Sequence, residues 1–146
     1  MATMRDILSD KSTSEILSVN PAETVLEAVQ RMNEHGVGAL VVIDDGRMVG
    51  VFTERDVLRR VVGAQRDAST MQVADVMTTD VVCGSPETTV EEARVVMKNH
   101  RIRHLPVVDT HGNILGLASI GDLNAHHVQA QETTIHYLHE YVLGRT

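Results

Sequence analysis

The sequence predicts an α+β fold in which two β-α-β-β-α repeats pack sheet to sheet about a pseudo-twofold axis, followed by a C-terminal helix. The first observation behind this prediction is a repeat, because residues 21–35 match residues 86–100 after an offset of 65 positions. The second is that apolar residues recur at helical spacing inside each copy and in short strand-like runs beside it. The third is that the sheet of one repeat is too small to bury both of its faces alone. We therefore expect the two repeats to share an interface.

Each repeat begins with an apolar run that a proline ends. Residues 16–19 and 81–83 form these runs, and we expect both to be strands, with Cys83 buried in or beside the second one. A helix follows each proline, because a threonine is succeeded three positions later by a glutamate, which is the signature of a capping box. The two boxes are Thr24 with Glu27 and Thr89 with Glu92.

The remaining elements of each repeat are a buried strand, a turn, a second strand and a second helix. The turns are marked by Asp and Gly, residues that tolerate the backbone conformations that tight turns require. In the first repeat we expect the strands and the helix at 40–43, 48–52 and 54–62, and in the second repeat at 105–108, 114–118 and 120–129.

The chain divides into four segments along its length. A helix at the C-terminal end carries apolar residues on one side, as expected for a helix that packs on its own domain or on a partner. A short segment at the start of the second repeat, 73–77, resembles residues 5–8 near the start of the chain. We predict the first repeat with its N-terminal segment at 1–64, a polar linker at 65–72, the second repeat at 73–130 and the C-terminal helix at 131–146.

Composition narrows the classes of function. The chain has 146 residues, of which 42% are hydrophobic, so it is large enough to bury a core. Its net charge of -7 argues against DNA, RNA or an anionic membrane as the main partner, because those partners need a basic surface. The only cysteine, Cys83, excludes an intrachain disulfide and favours a reducing compartment, and no signal peptide or membrane-spanning stretch is recognisable. We expect a cytoplasmic protein.

A short motif recurs where the second strand of each repeat meets its second helix. It consists of Gly, two apolar residues, Ser or Thr, any two residues and Asp, and it places Thr53 and Asp56 in positions equivalent to Ser119 and Asp122. One interpretation is structural, since a hydroxyl followed by Asp at this spacing caps a helix. The other is functional, since a carboxylate accepts hydrogen bonds from both hydroxyls of a ribose, and a helix N-terminus suits a phosphate. The glycine motifs of Rossmann and P-loop proteins are absent from the sequence.

With these motifs the chain resembles the tandem cystathionine-β-synthase (CBS) domain pair, also called the Bateman module. The resemblance rests on Thr53-Glu-Arg-Asp56, on Ser119-Ile-Gly-Asp122 and on the stretch 132–141, and it covers nearly the whole chain. It implies a regulatory module that binds an adenosine ligand, with AMP as the first expectation and ATP, ADP, NAD or S-adenosylmethionine as alternatives. It also implies a homodimer that signals to a regulated partner protein through ligand-dependent packing of the two repeats.

The resemblance also implies two clefts at the seam between the repeats, in which an aspartate of one repeat holds the ribose and the other repeat forms an apolar slot for adenine. Arg103 and His104 supply cations to the Asp56 cleft, so we expect it to be the better phosphate site, unless these side chains form a solvated strand edge. Lys11 is the candidate cation for the second cleft. The Asp56 cleft combines Thr53, Arg55 and Asp56 with Asp80, Val81, Ile102, Arg103, His104 and Pro106. The second cleft combines Ser119 and Asp122 with Ile16, Val37, Gly38, Ala39 and Val41.

Two other classes of function remain as alternatives. An enzyme would need a base, a nucleophile or metal-binding carboxylates that converge in one pocket, and the sequence offers no such set outside the ligand residues. The eight histidines lack the cysteine and carboxylate pattern of a zinc site, so we predict no metal. A structural subunit with vestigial clefts is the other alternative. We therefore expect a nucleotide-binding regulator rather than an enzyme.

Overall fold

The computed structural model describes residues 1–11 and 16–130, with the side chains of these ranges given up to residue 126. It has the expected α+β class, with two small sheets that helices flank. The predicted C-terminal helix at 131–146 lies outside the described residues. Helix α1 (Met4–Asp10) precedes the first repeat, and the backbone amide of Thr3 donates to the Asp6 carboxylate at its start.

The first repeat contains a three-stranded sheet in the order β1-β2-β3. Strand β1 pairs with β2 in parallel, and β2 pairs with β3 in antiparallel fashion. The predicted second helix is α-helical for only one turn and then continues as a π-helix over Val57–Val62. The other elements are β1 (Ser18–Val19), α2 (Val25–His35), β2 (Ala39–Asp44), β3 (Arg47–Thr53) and α3 (Glu54–Asp56).

The second repeat has a two-stranded sheet, because the strand predicted at 81–83 is reduced to an isolated parallel bridge between Gly84 and Val107. The equivalent pair in the first repeat is Val19 with Val42. A glycine favours extended structure less than a valine does, which accounts for the shortened pairing. Cys83 is consequently exposed rather than buried. The elements are α4 (Val90–His100), β4 (His104–Val108), β5 (Ile114–Ser119) and α5 (Ile120–Ala130).

Each repeat has its own apolar core, but each core includes a segment from ahead of the other repeat. Met4 and Ile7 of α1 are buried in the core of the second repeat. Met71, Val73 and Val76, in and beside a short 3-10 turn at Val73–Asp75, are buried in the core of the first. Their buried partners include Leu40, Val42 and Phe52 in the first core and Leu105, Val107 and Leu123 in the second.

The backbone shows the same exchange at equivalent positions. Thr3 forms an antiparallel bridge with Thr89, and Gln72 forms the corresponding bridge with Thr24. The segments that precede the two repeats, around α1 and around Val73–Asp75, are called the leading segments; each contacts the other repeat in the same way. The predicted domain boundaries at 64 and 73 stay a prediction. Each apolar core contains residues from both sides of these boundaries.

Two strand glycines allow the exchanged segments to approach. A Cβ at Gly116 in β5 would lie 2.7 Å from a methyl carbon of Leu8, and a Cβ at Gly50 in β3 would lie 2.7 Å from the carbonyl oxygen of Thr78. Real Cβ atoms do not come this close to a neighbour. These close contacts bring Thr78 next to Asp56 and Lys11 next to Asp122.

Candidate functional site

The Asp56 carboxylate closes a capping box at the start of α3. The backbone amide and the hydroxyl of Thr53 donate to Oδ2 of Asp56 at 3.0 and 3.2 Å. The Asp56 amide donates back to the Thr53 hydroxyl at 3.3 Å. These bonds satisfy amides that a helix start would leave unpaired, so the structural role of the motif is present in the first repeat.

The second oxygen of Asp56 also has partners. The Thr78 hydroxyl donates to Oδ1 at 3.0 Å, and the Arg60 guanidinium lies 4.0 Å from the same oxygen. Thr78 is held in place by two backbone hydrogen bonds with Val51, each of 2.9 Å. Asp56 is 5% exposed. A ribose that bound this carboxylate would therefore have to displace the Thr78 hydroxyl.

The other residues predicted for the Asp56 cleft lie at different depths. Arg55 is exposed and donates to the backbone carbonyl of Arg101 at 2.8 Å. Asp80 and Arg103 are exposed, Val81 and Ile102 are half-buried, and Pro106 is buried in β4. Arg55 and Arg103 are therefore exposed, whereas Asp56 itself is covered.

The second cleft is an open cavity of about 600 Å³ between the repeats. Its wall combines residues of both repeats, and Lys11 from the end of α1 lies beside Ser119 and Asp122. Val41, which was predicted for this cleft, is fully buried in β2 instead. The predicted residues that line the cavity are Lys11, Ile16, Val37, Gly38, Ala39, Ser119 and Asp122.

The contacts of the Asp122 carboxylate with the described residues all involve one oxygen, Oδ2. The Ser119 amide donates to its Oδ2 at 2.8 Å, and the Lys11 ammonium lies 3.0 Å from the same oxygen. Lys11 also donates to the carbonyl of Leu117 at 2.8 Å. Within the described residues, no hydrogen bond reaches Oδ1 of Asp122. The side chain of Asp122 is 25% exposed, so a ligand in the cavity can reach it.

The two motif aspartates thus differ in exposure, and the Asp122 carboxylate is the more accessible of the two. The expectation that Arg103 and His104 make the Asp56 cleft the better phosphate site stays a prediction. The reason for the difference in exposure is the residue that follows each leading segment. Thr78 donates to Asp56, while its counterpart Ser9 donates to the carbonyl of Arg5 at 2.8 Å. The similarity between residues 5–8 and 73–77 was the one signal in the sequence that Ser9 and Thr78 occupy equivalent positions.

His104 lies at the seam and lines the second cavity, although it was predicted for the Asp56 cleft. It pairs with Ser119 across β4 and β5. Burial is the main influence on this imidazole and lowers its pKa, an effect that Glu54 and Asp122 oppose and that Lys11 and Arg103 reinforce. His104 is therefore a neutral ring at neutral pH, able to donate from one nitrogen and accept at the other.

Glu54 was not predicted as part of the seam. Its Oε1 lies 2.9 Å from the point that a Cβ on Gly38 would occupy, and Cε1 of His104 lies 3.5 Å from that point. The glycine thus leaves room for a carboxylate from α3 beside the imidazole of β4. Through these side chains the helix that carries Asp56 reaches the wall of the Asp122 cavity.

Residues 1–11 and 16–130 contain no group of three or more His, Cys, Asp or Glu side chains placed to hold a metal ion. No helix within these ranges combines the length and the apolar character needed to cross a membrane.

Known proteins share both the repeats and the fold. The family model of the CBS domain matches residues 4–63 and 73–126. The chain is 38% identical over 116 residues to the CBS domain-containing protein YhcV of Bacillus subtilis, which covers 80% of this chain and 81% of that one. It is 35% identical to the mitochondrial CBS domain-containing protein CBSX3 of Arabidopsis thaliana, over 97% of this chain and 72% of that one.

A solved structure of a protein with CBS domains from Burkholderia ambifaria superposes with a TM-score of 0.85 at 34% identity, over 98% of this chain and 100% of that chain. The two segments that the CBS family model matches correspond to the two repeats, and together they span most of the chain. The chain belongs to the CBS domain family, as a tandem pair of these domains.

Proposed function

We propose that this chain is a regulatory module that binds an adenosine nucleotide, AMP in the first place, in the cavity beside Asp122. One observation carries the proposal. The cavity of about 600 Å³ brings a carboxylate, an ammonium group and an apolar wall from the opposite repeat into one space. Cavities of this size and mixed lining are typical of sites for small organic ligands.

The ribose is assigned to Asp122. Its Oδ2 accepts from the Ser119 amide at 2.8 Å, and within the described residues no hydrogen bond reaches Oδ1, which leaves that oxygen for a ligand hydroxyl. A hydroxyl that donates to a carboxylate contributes roughly 1.5–3 kcal/mol. A cis-diol has two such hydroxyls, so a ribonucleotide is favoured over its 2′-deoxy form.

The adenine is assigned to the wall from the first repeat. Ile16, Leu17, Val37 and Ala39 line the cavity there, and they are buried or half-buried. Removal of apolar surface from water contributes roughly 25 cal/mol per Å². A flat aromatic base suits a slot of this kind.

Two solved structures of the same fold support the ligand class. The CBS domain protein PAE2072 of Pyrobaculum aerophilum was solved in complex with AMP, and it superposes with a TM-score of 0.76 at 24% identity. The CBS domain pair of protein MJ0100, with a TM-score of 0.77 at 19% identity, was solved with 5-methylthioadenosine and S-adenosyl-L-methionine. At these identities the likeness concerns the fold, and the assignment of a ligand to this chain rests on its own cavity.

The signal is assigned to the packing of the two repeats. The cavity joins Ser119 and Asp122 of one repeat to Val37 and Ala39 of the other. A ligand that contacts both sides stabilises the arrangement of the two repeats to which it binds. A second copy of the chain in a homodimer, or a regulated partner protein, can respond to that shift. The chain itself is proposed to be no enzyme. In keeping with this, the inosine-5'-monophosphate dehydrogenase of Korarchaeum cryptofilum matches the chain over 22% of that enzyme's length only.

Isothermal titration calorimetry on the whole chain tests the proposal. AMP, ATP, NAD and S-adenosylmethionine are titrated separately, with 2′-deoxy-AMP as the matched control for the ribose. We expect AMP to bind and 2′-deoxy-AMP to bind about tenfold more weakly, as loss of one charged hydrogen bond implies. Absence of binding by all four nucleotides would contradict the assignment and favour a structural subunit with vestigial clefts.

A further inference from the structure

The charges inside the Asp122 cavity are few. Among the described residues that line it, Lys11 is the only lysine or arginine and Asp122 the only acidic side chain. They lie 3.0 Å apart, with 31% of the Lys11 side chain and 25% of the Asp122 side chain exposed. Each therefore serves as the other's counterion.

The neighbouring imidazole does not replace Lys11 as a cation. His104 lines the same cavity, and burial is the main cause that lowers its pKa. At neutral pH the His104 ring carries little positive charge. His35 also lines the cavity, but Lys11 is the only lysine or arginine of the described lining and so supplies the permanent cation for an anion there. The four-carbon stem of a lysine allows the ammonium group to move between partners.

We propose that Lys11 makes the cavity selective for phosphorylated adenosine over neutral adenosine, because a ligand that takes Asp122 must also provide Lys11 with a new anion. This inference rests on the proposed function and adds the ligand's required charge to it. The 5′-phosphate of AMP, with a charge of about -2 at neutral pH, is such an anion. No covalent bond is formed or broken. The Lys11 ammonium and the Asp122 carboxylate only exchange each other for groups of the ligand.

Neutral adenosine cannot make this exchange. The two hydroxyls of its ribose span both oxygens of Asp122 and so replace the ammonium at Oδ2, but among the described residues Lys11 then keeps only the carbonyl of Leu117, at 2.8 Å. A charged group that loses its counterion in a half-buried site destabilises the complex. In the wild-type protein Lys11 therefore acts against adenosine and in favour of AMP.

The chain offers a matched pair of variants for the test. It contains two lysines, and the second, Lys98, is exposed in α4 and absent from the cavity lining. Lys11→Met and Lys98→Met each remove one positive charge and keep a side chain of similar length. The dissociation constants of AMP and of adenosine are measured by calorimetry for the wild type and both variants.

We expect Lys11→Met to weaken AMP binding at least tenfold and to leave adenosine binding unchanged or tighter, while Lys98→Met changes neither. An equal loss for both ligands would contradict the inference, since Lys11 would then support the site only structurally. Unchanged AMP binding in Lys11→Met would contradict it too. If wild-type protein binds neither ligand, the proposed function fails first, and this inference fails with it.

A second readout measures Lys11 directly. An amine-reactive reagent is applied to the wild-type protein, and the labelled fraction of Lys11 is compared with that of Lys98 by peptide mass spectrometry. AMP should lower the labelling of Lys11, because its phosphate takes up the ammonium group, whereas adenosine should raise it by displacing Lys11 from Asp122. The same change with both ligands would overturn the exchange.

Discussion

The hydroxyl of Thr78 donates to Oδ1 of Asp56 over 3.0 Å, so the second carboxylate oxygen in the cleft that the sequence favoured already has a partner. Thr78 belongs to the segment that crosses from the second repeat onto β3, where it pairs with Val51. A residue outside the recurring motif thus decides which of two similar aspartates faces an open cavity.

The contact between Thr78 and Asp56 predicts a loss of stability when it is removed. Thr78→Val keeps the branched shape and takes away the donor, so the buried carboxylate loses one of its hydrogen bonds. We expect the free energy of unfolding to fall by about 1–3 kcal/mol, as measured by urea denaturation. Thr79→Val is the control, because Thr79 is exposed next to it. Equal stability of the two variants would show that the hydrogen bond contributes nothing.

The close approach of Leu8 to β5 predicts opposite effects for two alanine substitutions. In Gly116→Ala the new methyl group would lie 2.7 Å from a methyl carbon of Leu8, so the Leu8 side chain or α1 has to shift, and we expect a loss of about 1–3 kcal/mol in unfolding free energy. In Gly121→Ala the nearest atom is the Ser119 hydroxyl at 3.5 Å, an ordinary contact, and the helical position favours alanine by up to about 1 kcal/mol. Equal stability of Gly116→Ala and Gly121→Ala would contradict the tight contact between Leu8 and this strand.

The buried imidazole predicts how stability depends on pH. Burial lowers the pKa of His104 below its ordinary 6.5, so between these two values the unfolded chain binds a proton that the folded protein does not. The contribution of His104 to stability is therefore complete above pH 6.5 and decreases as the pH falls toward the folded pKa.

Urea denaturation at pH 7.5 and pH 5.5 measures this effect. We expect the wild type to lose more unfolding free energy between the two pH values than His104→Gln does. His111→Gln is the control, since His111 is exposed in the turn after β4. If His104→Gln and the wild type respond equally to pH, the imidazole titrates as it does in water and the stated cause is wrong.

Local patterns in the sequence were sufficient for much of the fold. The capping boxes predicted the starts of α2 and α4, because the Thr24 and Thr89 hydroxyls accept from amides three residues later. The second helix of the second repeat, predicted at 120–129, is observed at Ile120–Ala130. These features depend on neighbours in sequence, which is why a single chain reveals them.

What the sequence could not show depends on contacts between distant segments. The similarity of 5–8 and 73–77 indicated equivalent segments, but not that each packs on the other repeat. The position of Thr78 against Asp56 follows from that exchange, and so does the accessible carboxylate at Asp122. Membership of the cavity was easier to predict for Val37, Gly38 and Ala39, which are adjacent in sequence, than for Val41, whose side chain is in the core.

The central claim is that the nucleotide binds at Asp122 and not at Asp56. The most direct test is the dissociation constant of AMP for Asp122→Asn and Asp56→Asn, two identical changes at equivalent positions, each checked for folding by thermal melting. We predict that Asp122→Asn weakens AMP binding about ten- to a hundredfold, because a charged hydrogen bond to the ribose is lost. Asp56→Asn should leave the constant unchanged. The reverse result, with AMP binding lost in Asp56→Asn and retained in Asp122→Asn, would contradict the account.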